Sequence, residues 1–61
     1  MKYKLIEYKH YEGDRVGTIT EYKSKNELNA YIQSLDDLLD RGIIHYTMRR
    51  KNNIVTVDVY F

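Results

Sequence analysis

Residues 43–61 read IIHYTMRRKNNIVTVDVYF. Apolar and polar side chains alternate on both sides of Asn52 and Asn53, two residues that tolerate left-handed backbone, so the stretch predicts a hairpin with a two-residue turn. That turn fixes the register. It sets Arg50 opposite Val55, Met48 opposite Val57, Tyr46 opposite Val59 and Ile44 opposite Phe61 on one face, the expected core, where Met48 should be buried. The other face then carries Lys51 with Ile54, Arg49 with Thr56, Thr47 with Asp58 and His45 with Tyr60.

Upstream, the period changes from two to between three and four. Leu28, Tyr31, Ile32, Leu35, Leu38 and Leu39 draw one apolar stripe on an amphipathic helix. Ser24 and Glu27 have the S-x-x-E spacing of a capping box, and Gly42, free to take positive φ, is the expected stop. The first 24 residues read as another hairpin turning at Gly13 and Asp14. Its facing is ambiguous: Tyr3, Leu5, Tyr11, Val16 and Tyr22 compete with Ile6, Tyr8, His10 and Ile19. We expect Ile6, Tyr8 and Ile19 in the core, with a bulge or a strand apolar on both sides.

The expected fold is α+β: a small single ββαββ domain over residues 1–61, with strands at 2–12, 15–23, 43–51 and 54–61 and a helix at 25–41. Its four-stranded, mainly antiparallel sheet carries one helix packed on one face. A single helix covers one side, so the other is left open. His45, Thr47, Arg49, Thr56, Asp58 and Tyr60 should lie on it, joined by Tyr8 or Tyr11. It is either solvated, a homodimer interface or a binding face.

Composition narrows the function classes. Sixty-one residues without cysteine exclude a disulfide framework and a thiolate zinc site, and fit a reducing cytoplasm. No run reaches the roughly 20 apolar residues of a membrane span, and the charged opening MKYKLIEYKHYEG has no signal-peptide core, so the chain is expected to be complete and to have no membrane partner. Charge is unevenly placed: residues 1–25 carry six bases and four acids, 26–42 one base and four acids, and 43–61 three bases and one acid. Seven tyrosines suit half-wet surfaces, where the ring is covered and the hydroxyl stays hydrogen-bonded.

There is no phosphate loop, nucleophile elbow, H-E-x-x-H or acidic calcium loop, so neither enzyme activity nor a cofactor or metal is expected. His10 and His45 can meet on the open face, and a histidine–carboxylate pair with Asp58 is geometrically available there. Arg49, Arg50 and Lys51 run into the Asn52 turn, with Lys2, Lys4, Lys9, Lys23 and Lys25 interleaved with tyrosines. This pattern either keeps edge strands soluble or holds a single-stranded nucleic acid.

The stretch SLDDLLDRG, residues 34–42, places three aspartates where the helix dipole disfavours them. Gln33, Asp36, Asp37 and Asp40 should face solvent, Asp37 within reach of Arg41, and Asp36 and Asp40 as a like-charged pair. Local choices that oppose the fold are where a site is expected. The expected function is a non-enzymatic interaction protein that binds and modulates a macromolecular partner, foremost a protein, with a basic or nucleic-acid-binding one among the candidates. Its candidate partner-binding residues are Gln33, Asp36, Asp37 and Asp40 on the helix and His45, Arg49, Lys51, Asp58 and Tyr60 on the sheet. Its brevity has the character of small accessory and inhibitor proteins of bacteria and their phages. The alternative is a nucleic-acid-binding module using the Tyr/Lys/Arg sheet face.

Overall fold

The computed structural model describes residues 2–61. Strands β1 (Tyr3–Tyr11) and β2 (Asp14–Tyr22), helix α1 (Lys25–Asp40), and strands β3 (His45–Lys51) and β4 (Ile54–Tyr60) follow the expected ββαββ order. The sheet order is β2-β1-β4-β3: two antiparallel hairpins join through a parallel β1–β4 pair at the centre. The register expected for the second hairpin holds from His45↔Tyr60 to Lys51↔Ile54, and Asn52 alone in its turn takes positive φ, 56°.

The helix starts where Ser24 Oγ accepts the Glu27 backbone N–H at 3.2 Å, one arm of the expected box. It ends in a Schellman motif: Gly42, at φ 73°, donates to the Leu39 carbonyl, and Ile43 donates to the Leu38 carbonyl, each at 3.0 Å. With the Ile43 N–H spent on the helix end, β3 begins at His45 rather than at 43.

Topology dictates how the helix lies. β2 and β3 are the two edges and run parallel to each other, so the chain must travel from the Tyr22 end of one to the His45 end of the other. It therefore crosses the sheet diagonally. A helix about 10 Å wide spans only about two strands at ~4.8 Å spacing. The buried core is accordingly Leu5 of β1, Val55, Val57 and Val59 of β4, Ile44, and Leu28, Ile32 and Leu35 of the helix. Tyr3, Tyr22, Tyr31, Leu38 and Tyr46 pack around it.

The core departs from expectation in its parity and at its edges. In the first hairpin the core parity is that of Tyr3 and Leu5, in register with the Val55 face, so Ile6 and Tyr8 lie on the other side and Ile19 is 69% exposed. Of the two alternatives for this hairpin, the strand apolar on both sides is the one found: β1 and β2 pair without a bulge from Tyr3↔Tyr22 to Tyr11↔Asp14, with Leu5 on one face of β1 and Ile6 on the other. Met48 has the expected facing but is 37% exposed, because the diagonal helix leaves that end of β3 bare. Phe61 is likewise exposed, stacked on Tyr11 at 5.0 Å between ring centroids.

One charged residue of the core parity is buried. It is Glu7, between Leu5 and Lys9 on the helix side of β1. The Tyr31 hydroxyl of α1 donates to one of its oxygens, and Lys9 Nζ stands 3.8 Å from the other. Burial, then this bond and the carboxylate charge, push the Tyr31 hydroxyl well above its ordinary value.

Candidate functional site: the open sheet face

Strand alternation sends the alternate set of side chains to the uncovered face, where they form a grid of four rows across β2, β1, β4 and β3. The first row is Arg15, His10, Tyr60 and His45. The second is Gly17, Tyr8, Asp58 and Thr47. Ile19, Ile6, Thr56 and Arg49 follow, then Glu21, Lys4, Ile54 and Lys51. Of the two tyrosines considered for this face, Tyr8 is on it and Tyr11 is on the helix side.

Several of these side chains hold one another. His10 Nε2 lies 2.9 Å from Asp58 Oδ1, and Arg49 reaches Asp58 Oδ2 at 3.8 Å. The His10 ring stacks on Tyr60, centroids 4.5 Å apart and planes 13° from parallel. That separation is close to the strand spacing, as expected for rings on neighbouring strands. The Arg15 guanidinium sits 4.9 Å from the centre of the Tyr8 ring. That ring leans over Gly17, where an added Cβ would come within 3.1 Å of two ring carbons. Glycine at this edge is what lets the tyrosine lie down.

The histidines do not meet: Tyr60 stands between them, and the carboxylate pair forms with His10. Arg49, Arg50, Lys51, Ile54 and Thr56 line a shallow depression at one corner. On the strands of this face Lys4, Arg15, Arg49 and Lys51 are basic against Glu21 and Asp58, so the surface is positive before either histidine is protonated. Of the proposed sheet residues, His45, Arg49, Lys51, Asp58 and Tyr60 all lie here. Tyr8 and His10, both considered for this face, lie on it, and Arg15 joins them as the cross-strand neighbour of His10, a placement that depends on the parity of the first hairpin.

The acidic helix end is a separate surface on the opposite side of the sheet. Gln33, Asp37 and Asp40 are exposed as expected, but Asp36 is not solvent-facing. It is half-buried and accepts a hydrogen bond from the Tyr46 hydroxyl. That bond, then burial and the charges of Asp36 and Asp40, raise the Tyr46 hydroxyl above its ordinary value. Asp37 and Arg41 make no ion pair; Arg41 instead caps the helix, donating its backbone N–H to the Asp37 carbonyl at 3.2 Å.

No group of three or more His, Asp or Glu side chains among the described residues is arranged to hold a metal ion. No helix among them is long and apolar enough to cross a membrane. No protein-family model, curated protein or solved structure matches the chain.

Proposed function

We propose that this chain is a non-enzymatic binding module that engages a macromolecular partner through its open sheet face and thereby modulates that partner, as an accessory or inhibitor protein of bacterial or phage type acting in the cytoplasm. One observation carries the reading: Asp58, His10 and Tyr60 are tied to one another across neighbouring strands, with the exposed Arg49 beside them. A merely solvated face gains little from fixing its side chains, since ordering exposed charges costs entropy. A binding face gains because the side chains are ordered before the partner arrives. The excess of Lys4, Arg15, Arg49 and Lys51 favours an acidic surface as the ligand.

The acidic helix end has a weaker claim, because Asp36 serves the fold through Tyr46. Asp37 and Asp40 remain as the candidate contact for a basic partner. The nucleic-acid reading is favoured by exposed rings on a basic face, Tyr8 beside Arg15 and Tyr60 stacked on His10, which suit base stacking and phosphate contact.

The test is capture from the native host with the protein as bait, with and without nuclease, using wild type, Tyr60→Ala with Arg49→Ala, and Asp37→Lys with Asp40→Lys. Loss of one specific partner with the sheet variant alone supports the reading. Loss with the helix variant alone transfers the site to the aspartates, and capture that vanishes on nuclease treatment identifies nucleic acid as the ligand.

A further inference from the structure

β2 is an edge strand, and every residue from Asp14 to Glu21 is exposed. It contains Ile19, at 69% the most exposed large hydrophobic side chain among the described residues, and Val16 at 44%. Free edges are ordinarily blunted by proline, bulges or lysine. β3 follows that rule with Arg49, Arg50 and Lys51, and has no acid to offer a second copy. β2 has no proline, no lysine and no bulge along its nine residues, DRVGTITEY.

This strand is self-complementary about its centre, Thr18. Laid antiparallel on a second copy of itself with full overlap, it sets Arg15 opposite Glu21 of the other copy at both ends, Gly17 opposite Ile19, Val16 opposite Thr20, and Thr18 opposite Thr18. The backbone agrees. A two-residue turn closes on a hydrogen-bonded pair, here Tyr11 with Asp14, so the even-numbered residues of β2 direct their N–H and C=O groups to β1. Arg15, Gly17, Ile19 and Glu21 direct theirs outward, and in this register they meet one another as hydrogen-bonded pairs. Sliding the register by two residues one way puts Arg15 against Lys23, and the other way against Ile19. Among the described residues the ion pair of Glu21 is an exposed contact with Lys2 at 3.7 Å, which competes weakly.

We propose that the protein forms a two-fold symmetric homodimer by antiparallel pairing of β2 with β2 of a second copy, centred on Thr18 and locked by reciprocal Arg15–Glu21 pairs. The two sheets become one continuous sheet of eight strands, with both helices on one side and both open faces on the other. Ile19 is covered over Gly17 of the second copy, beside its Tyr8 ring. The interface does not depend on what the open face binds.

Sedimentation velocity at about 50 μM should give a dimer. Arg15→Glu sets carboxylates against carboxylates at both ends, and Glu21→Arg sets guanidinium groups together. Each variant alone should raise the dissociation constant at least about tenfold and sediment as a monomer. Their equimolar mixture restores both opposite-charge pairs and should sediment as a dimer. Ile19→Lys, an edge lysine, should be monomeric. All these positions are exposed, and circular dichroism verifies that each variant remains folded. A wild type that stays monomeric up to about 500 μM, a dimer that survives both charge reversals, or a mixture that stays monomeric overturns the proposal.

Discussion

Tyr31→Phe removes a single oxygen and should be among the most damaging conservative changes in this chain. Glu7 is 5% exposed, so its carboxylate has little water to replace a lost donor. The Tyr31 hydroxyl is its one close hydrogen bond from another element, and Lys9, partly exposed at 3.8 Å, compensates only in part. A hydrogen bond to a charged group is worth about 1.5–3 kcal/mol. A 61-residue chain at the usual marginal stability holds roughly 3–9 kcal/mol in all. Loss of the hydroxyl should thus remove about a sixth of the total at the least, and lower the melting temperature by about 8–16 °C for a 2 kcal/mol loss.

Urea denaturation of Tyr31→Phe, Glu7→Gln and the double variant closes a cycle. Glu7→Gln should cost less than Tyr31→Phe, because the amide can still accept the bond and no charge is left buried. The pair should show a coupling energy of at least about 1 kcal/mol. Alkali gives a second readout. The folded state holds the Tyr31 proton more tightly than the unfolded chain, where it leaves near pH 10, so its contribution is complete below that pH and declines above it. Tyr31→Phe should shrink this alkaline loss, and Tyr22 and Tyr46, raised in the same direction, account for what persists. A Tyr31→Phe cost below about 0.5 kcal/mol with no coupling to Glu7 would refute the reasoning.

Val57→Asp should unfold the domain, seen as loss of far-ultraviolet circular dichroism, whereas Met48→Asp should cost under about 1.5 kcal/mol, since Val57 is fully buried and Met48 is 37% exposed; equal costs would show that the helix does not cross as described. Asp37→Lys and Asp40→Lys should each raise stability by about 0.3–1 kcal/mol by complementing the helix end, while Asp36→Lys should lower the melting temperature by stripping Tyr46 of its acceptor. If the open face binds single-stranded nucleic acid, fluorescence anisotropy should show affinity falling steeply between about 50 and 200 mM salt, with Arg49→Ala and Lys51→Ala together flattening the log–log slope by roughly 1.4; no binding at about 50 mM salt removes that ligand.

The second hairpin was legible because every signal in it is local: both strands alternate cleanly, and a turn of two residues admits only one register. The helix was legible for the same reason, with its start at Ser24 and its stop at Gly42 both written in short-range chemistry. The first hairpin misled because Glu7 occupies a core position. Both parities of β1 carry apolar residues, and the carboxylate on the core one is held by Tyr31, 24 residues later in the chain, a partner that no local pattern reveals. Ile19 fell with the same parity. The pairing of Asp36 with Tyr46 joins two elements and was equally invisible in a periodicity confined to the helix.

The diagonal path of the helix also bears on the charge segregation that marks this sequence. Residues 26–42, with four acids to one base, lie on one side of the sheet, and the positive open face lies on the other. The molecule's thinnest dimension is 15 Å, which exceeds the ~8 Å Debye length at physiological salt. The two surfaces are therefore screened from each other and do not cancel, even though the formal net charge is only +1. An acidic ligand is steered towards Arg15, Arg49 and Lys51, and a basic one towards Asp37 and Asp40. Pairing at β2 would add the two positive faces in one plane while leaving the aspartates on the far side. Raising the protein concentration through the dimer transition should then strengthen binding of a long acidic ligand by multivalency and leave a basic ligand at the helix ends bound with unchanged intrinsic affinity.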